Sequence, residues 1–218
     1  MLELVLVRHG ETVGQSSIRL YGATDVALAP EGEEQVAVAG RALRGWLGSE
    51  RSFDRVFTSP LIRAQRSAQV VLGELGGSAA ARLAEQVQVV EGFREVDFGD
   101  WEGWTWAEVE ARDPDNHRRW AAEGPRFTYP GGESREAFVA RVQAAVEPSL
   151  GAAFSSGAKR VLCVVHKGVI RAIAARLLAR EVGSLGDAWG LPLGGYRRLC
   201  APELGGPWTL SAFDEDPR

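Results

Sequence analysis

Apolar residues follow two patterns along this chain. Short runs rich in Val, Leu and Phe stand at residues 2–7, 55–58, 87–90 and 160–165. Each is too short for a free-standing helix and leads into a polar loop, which predicts buried strands. Elsewhere the spacing becomes helical. Val36, Ala39, Leu43, Trp46 and Leu47 recur on one face of residues 31–48, bracketed by Pro30 and Gly48. Leu61, Ala64, Ala68, Val71, Leu72 and Leu75 do the same after Ser59-Pro60, which reads as an N-cap with proline in the first turn and puts Arg63 near the helix start. Ser134 predicts the cap of a helix carrying Phe138, Val142, Ala145 and Val146, bent or ended by Pro148, and residues 168–180 predict another. Strands alternating with helices predict an α/β layer fold. Residues 104–132 show no sustained period and predict a lid inserted into a single domain spanning residues 1–218.

Composition narrows the class. With 45% hydrophobic and 25% charged residues in 218, the chain is neither fibrous nor mostly disordered. Lys and Arg total 25 against 29 Asp and Glu, a net charge of −4, so no overall positive field draws nucleic acid or anionic lipid, although a local basic pocket stays compatible. Two cysteines make no disulfide framework, and Cys163 inside an apolar run reads as a reduced, buried thiol. No apolar stretch approaches the roughly 18 residues of a membrane span, and the N-terminal run has no basic leader. The expectation is a soluble, cytoplasmic protein.

Reactive groups in α/β sheets gather at the carboxyl ends of strands. His9 and His166 each end a predicted strand and open a glycine-containing loop; the third histidine, His117, does not. Arg8 beside His9, and Arg63 after the second strand, supply guanidinium groups suited to phosphate oxygens. Each residue alone has an ordinary reading, a core histidine or a surface charge. Their repetition at strand ends points to an anion site.

At these residues the sequence resembles the histidine phosphatase superfamily, the phosphoglycerate-mutase-like group, in five ordered blocks. Residues 6–12 (LVRHGET) look like its opening signature, followed at its spacings by Arg19, Gly22, Asp25, Leu28, Gly32 and Gln35. Residues 58–64 (TSPLIRA) are similar to its second arginine motif, 93–103 (FREVDFGDWEG) to the block carrying its acid, and 164–171 (VVHKGVIR) to its second histidine motif. The resemblance implies a three-layer αβα sandwich with a mostly parallel central sheet. It also implies a phosphomonoesterase in which His9 becomes a phosphohistidine. Arg8, Arg63 and His166 would hold the equatorial oxygens, and Glu95, chosen by position over Asp97, Asp100 and Glu102, would move the proton. Gln15, Tyr21, Gly22 and Lys167 are the expected substrate contacts. No metal or cofactor is expected. The expected partner is a small-molecule phosphomonoester, not nucleic acid or membrane, and the oligomeric state stays open, a homodimer included.

Departures from the family pattern matter. Gln15 stands where the family usually has Asn, and Lys167 where it often has Gly; the acid-phosphatase branch has Asp at that second position and is disfavoured. The short, tryptophan-rich insertion, with Trp101, Trp104, Trp106 and Trp120, favours the phosphatase branch, the rings either lining a substrate mouth or packing beneath a lid. Arg118-Arg119 faintly echoes the paired arginines of the mutases, so a cofactor-dependent phosphoglycerate mutase is the alternative. A non-catalytic binding module is the second alternative, disfavoured because His9, Arg63, Glu95 and His166 are all present.

Overall fold

The computed structural model describes residues 1–49 and 51–211. One six-stranded sheet runs in the order β3-β2-β4-β1-β5-β6. Its strands are β1 (Leu2–Arg8), β2 (Arg55–Thr58), β3 (Gln88–Val89), β4 (Arg160–Val165), β5 (Tyr196–Ala201) and β6 (Thr209–Leu210). β3, β2, β4 and β1 are mutually parallel, while β5 pairs antiparallel with β1 and β6 antiparallel with β5. The architecture is therefore an open α/β sheet, mostly parallel.

Strand geometry explains the unbroken apolar runs, because successive side chains point to opposite faces and both faces are covered. Leu2, Leu4 and Leu6 of β1, with Val161, Cys163 and Val165 of β4, pack against α6 (Arg135–Val146) and α8 (Lys167–Leu177) through Phe138, Val142, Val169 and Ile173. Val5, Val7, Leu162 and Val164 point the other way, onto α1 (Pro30–Leu47) and α2 (Ile62–Leu75) through Val36, Leu43, Ala68 and Val71.

Four local readings change. The second helix starts at Ile62 rather than beside Pro60. Its first amide donates to Asp25 Oδ1 (2.8 Å), and Ser59, read as its cap, turns into the sheet end instead. β5 escaped the apolar pattern because Arg197 and Arg198 sit at its centre; the Arg198 guanidinium lies over the Trp46 ring, 4.6 Å from its centre. α3 (Gly77–Glu85) buries only Ala80 and Leu83, too sparse a stripe to read. Pro148 does not end its helix: the path continues through a π-turn at Glu147–Gly151 into α7 (Ala152–Ser155).

Residues 104–132 carry two short helices. α4 (Trp106–Arg112) begins with a Thr105–Glu108 capping box, and α5 (Pro114–Glu123) is capped by the Asp113 carboxylate. Trp101 beneath them is fully buried, donates from Nε1 to Asp113 Oδ2 (2.9 Å) and stacks on Phe127 at 5.5 Å between ring centres. The tryptophans divide: Trp101 is core, whereas Trp106 remains exposed beside the cavity described below.

Candidate active site

Of three neighbouring parallel strands, β1 and β4 end level and β2 one residue short. Arg8 pairs with Val165 and Thr58 with Val164, so the next residues along β1, β4 and β2 are His9, His166 and Ser59. The His9 amide continues the ladder by donating to the Val165 carbonyl (2.9 Å). The two imidazole ring centres lie 5.0 Å apart, inclined at 62°. His9 Nδ1 is 2.7 Å from the Gly10 carbonyl. A carbonyl only accepts, so Nδ1 carries the proton and Nε2 keeps the lone pair. Burial, then the charges of Arg63 and Arg8, push the His9 pKa well below the ordinary range and keep the ring neutral. The turn is tight: a Cβ on Gly10 would stand 2.0 Å from the Gly32 carbonyl oxygen.

The cations here are held by backbone rather than by carboxylates. Arg63 is fully buried; Nη1 donates to the Thr24 carbonyl (2.9 Å), and Nη2 to those of Tyr21 (3.1 Å) and Gly22 (2.8 Å). Arg8 Nη1 donates to the Leu191 carbonyl (2.7 Å). His166, fully buried, places Nε2 2.7 Å from Ser59 Oγ, and burial with the Arg63 charge drives its pKa well down. Three buried side-chain atoms among the described residues lack a hydrogen-bond partner: Arg8 Nε, Arg63 Nε and His166 Nδ1. All three belong to the groups around His9. Unpaired buried polar atoms are costly, and the two that are certain N–H donors, Arg8 Nε and Arg63 Nε, are suited to an anion.

Glu95 is the buried carboxylate beside them. It accepts hydrogen bonds from the amides of Val96 (3.0 Å) and Gly168 (3.1 Å), the latter in the first turn of α8. Burial raises its pKa above the ordinary carboxylate range, against those two amides and the Arg63 and Arg8 charges. Its three neighbours are placed otherwise. Asp97 accepts from the Gly99 amide, Asp100 is exposed, and Glu102 receives backbone amides, so only Glu95 of the four lines the cavity.

That cavity, about 1210 Å³, opens above Arg8, His9 and Glu95. Tyr21, Phe98, Trp106 and Tyr129 supply its aromatic wall, and Lys167 and Arg171 line the side formed by α8. Of the expected substrate contacts, Tyr21 and Lys167 lie on it. Gln15 does not: its side chain is exposed and its backbone takes φ +64°. Gly22 sits behind Arg63, where a Cβ would stand 1.7 Å from the Val96 carbonyl oxygen. Ser59, Gly168 and Arg171 were missed as site residues. Ser59 follows a strand end one residue short of the two histidines, a signal hidden by its equally good reading as a cap. Among the described residues no group of three or more His, Cys, Asp or Glu could hold a metal ion, and no helix is long and apolar enough to cross a membrane.

Residues 4–200 match the model of the histidine phosphatase superfamily (branch 1). The chain spans about a third (35%) of the length of the first curated relatives it matches, mycobacterial proteins 38% identical over 140 residues. It matches glucosyl-3-phosphoglycerate phosphatase of Mycobacterium tuberculosis at 32% identity, covering 99% of this chain and 90% of that protein. A 2,3-bisphosphoglycerate-dependent phosphoglycerate mutase of Methylobacterium radiotolerans is 33% identical, with 87% of each chain covered. Among solved structures, the α-ribazole phosphatase of Shigella flexneri superposes with a TM-score of 0.76 at 26% identity, over 98% of this chain and 96% of that one. The chain belongs to the histidine phosphatase superfamily, branch 1, and its relatives of matching length include phosphatases of small phosphorylated metabolites.

Proposed function

We propose that this chain is a phosphomonoesterase for small phosphorylated metabolites, working through a phosphohistidine on His9. The observation that carries the reading is the set of three unpartnered buried nitrogens, two guanidinium N–H donors and one imidazole nitrogen, around a neutral imidazole with a free Nε2. His9 Nε2 attacks phosphorus in line, and the P–O ester bond breaks as Glu95, whose pKa burial raises, delivers its proton to the leaving oxygen. Arg8, Arg63 and His166 hold the three equatorial oxygens and stabilise the charge spread over them. The Glu95 carboxylate then takes a proton from water, whose oxygen attacks phosphorus. The P–N bond breaks, the electron pair returns to His9 and inorganic phosphate leaves.

The wider cavity bears on substrate class. Lys167 lines it with no ion-pair or hydrogen-bond partner among the described residues, and burial, then the charges of Arg8 and Arg171, lower its pKa. A second anionic group on the substrate is its natural counterpart, and Trp106 offers a face to a ring. Relatives named for glucosyl-3-phosphoglycerate fit both features. The mutase reading gains less support, because Arg118 pairs with Asp115 and Arg119 with Glu123, and neither lines the cavity. Two free cysteines, one of them buried in β4, fit a reducing compartment such as the cytoplasm. Rapid quench with labelled substrate tests the mechanism: an acid-labile, base-stable phosphoenzyme forms in wild type and not in His9→Ala. Its absence in wild type, with His9→Ala still turning over, overturns the reading.

A further inference from the structure

Arg63 has no carboxylate partner among the described ion pairs, and its guanidinium position depends entirely on the carbonyls of Tyr21, Gly22 and Thr24. That segment is not in a helix or strand, so something else must fix it. The Glu102 carboxylate does. Oε1 accepts from the amides of Ala23 (3.0 Å) and Phe98 (3.0 Å), Oε2 accepts from Thr24 (3.3 Å), and the Gly22 amide reaches both oxygens (3.1 and 3.0 Å). The same peptide segment therefore donates its N–H groups to Glu102 and turns its C=O groups onto Arg63. Gly22 must be glycine for this: a Cβ there would stand 2.8 Å from Glu102 Oε1 as well as against the Val96 carbonyl.

We infer that Glu102 is the positioning residue for the phosphoryl-holding Arg63, acting through the 22–24 segment and never touching substrate itself. Three consecutive amides converging on one anion form a concave nest, and such hydrogen bonds to an ionised acceptor are about twice as strong as neutral ones. The carboxylate aligns the peptide dipoles, and the aligned carbonyls aim Arg63. The Phe98 amide, from the block that also carries Glu95, joins the same carboxylate, so one anion ties the acid's loop to the arginine's cradle. This also explains why the motif around the proton donor holds a carboxylate that does not reach the cavity.

The inference rests on Arg63 holding the transferred phosphoryl group, and a double-mutant cycle tests it. Glu102→Gln keeps the shape but turns an NH2 toward amides that need an acceptor. The kcat/KM for p-nitrophenyl phosphate should fall about 100-fold, the scale of a displacement near 1 Å in a catalytic group, and the Kd for inorganic phosphate should rise by at least about tenfold with it. In an Arg63→Ala background the further loss on adding Glu102→Gln should shrink to about threefold or less, because the group being aimed is gone. The same cycle on the phosphate Kd reads the coupling where residual turnover is too slow. Equal losses in both backgrounds overturn the role of Glu102 and leave the phosphatase reading standing. An Arg63→Ala enzyme as active as wild type overturns the role of Glu102 together with the assignment of Arg63 as a phosphoryl holder. Should Glu102→Gln fail to fold, Glu102→Asp, with its acceptor one methylene short, carries the cycle with the same two outcomes.

Discussion

The cavity has two unlike sides. At its floor, where β1 ends, half-buried Arg8 and buried His9 line it, with Arg63 and His166 fully buried beside them; all four are bonded to backbone or a serine, and all but His9 keep an unpartnered nitrogen. At its wall, residues 104–132 pair charges mostly with one another: Arg112 with Glu108, which also takes Arg19, Arg118 with Asp115 and Arg119 with Glu123. It also stacks its rings, Trp106 lying 4.5 Å from Trp120 between centres. The wall satisfies itself and the floor does not. Electrostatics left uncompensated by the chain are available to a ligand, and in a water-poor site they act most strongly on charge that develops during reaction. The floor should therefore govern kcat and the wall should govern which esters enter.

The comparison breaks first at His9. His9→Ala should lower kcat by about 10⁴-fold or more, as removal of a nucleophile does elsewhere, with no phosphoenzyme at any time point of a quench. A wall substitution with an effect that large would invert the assignment.

Gly168→Ala asks whether the floor depends on fine placement. Alanine favours a helix, yet a Cβ here would stand 2.5 Å from Glu95 Oε1 and 3.0 Å from the Phe138 ring, so the carboxylate must move. Turnover of alkyl phosphates, whose leaving oxygen needs a proton, should fall about 100-fold. The burst of p-nitrophenol from p-nitrophenyl phosphate should suffer far less. Equal losses for the two ester types would mean that Glu95 is not the acid.

Titration divides the buried groups around His9 among themselves. The folded pKa of His9 and of His166 lies below the unfolded value, so between the two the unfolded chain binds more protons. Stability contributed by keeping these rings neutral is fully present above about pH 6.5, the unfolded value. It is lost progressively as pH falls toward the folded pKa values. Glu95 has the opposite sense: its folded pKa is raised, so stability declines as pH climbs from the unfolded carboxylate value through the folded one. Melting temperature should therefore fall on acidification below neutral, and His9→Gln should flatten that slope. Activity should fall on the alkaline limb as Glu95 loses its proton, and Glu95→Gln should abolish that limb in the phosphorylation step.

Legibility in the sequence followed the same division. β1 and β4 could be read because both faces are buried and the residues are uniformly apolar, and α1 and α2 because one face is. That placed His9 and His166 at strand ends; that the two strands are neighbours is a property of the fold. α4 and α5 are a few turns long and nearly devoid of buried residues, Val109 alone being buried, so their caps carried more signal than their periodicity. Ser59 and Glu102 were ambiguous for a different reason. A serine before proline caps helices as readily as it bonds an imidazole, and four carboxylates within eight residues differ only in which backbone amides they meet.

A smaller effect is expected at Trp106, the exposed aromatic face of the wall. Trp106→Ala should raise KM for ring-bearing phosphoesters by about tenfold, the worth of one stacking contact, while kcat and the KM for glycerol 3-phosphate stay near wild type. A fall in kcat shared by every substrate would place Trp106 with the floor.

The smallest effect belongs to the arginine pair on α5. Arg118 and Arg119 are exposed, each committed to a carboxylate one turn away on the same helix, and neither lines the cavity. Exposed pairs of this kind contribute little, because two long side chains must be ordered in high-dielectric water for a modest Coulombic gain. The double variant Arg118→Ala, Arg119→Ala should shift Tm by no more than about 3 °C. It should leave kcat/KM unchanged for p-nitrophenyl phosphate and for 3-phosphoglycerate alike. The second substrate makes the result informative. If α5 swings inward on binding and these guanidinium groups grip a substrate carboxylate, the 3-phosphoglycerate value alone will collapse and the nitrophenyl value will not. That outcome would move the insertion from a self-satisfied wall to a closing, anion-gripping element and revive the mutase reading; unchanged values for both substrates leave Lys167 as the cation available to a second anion.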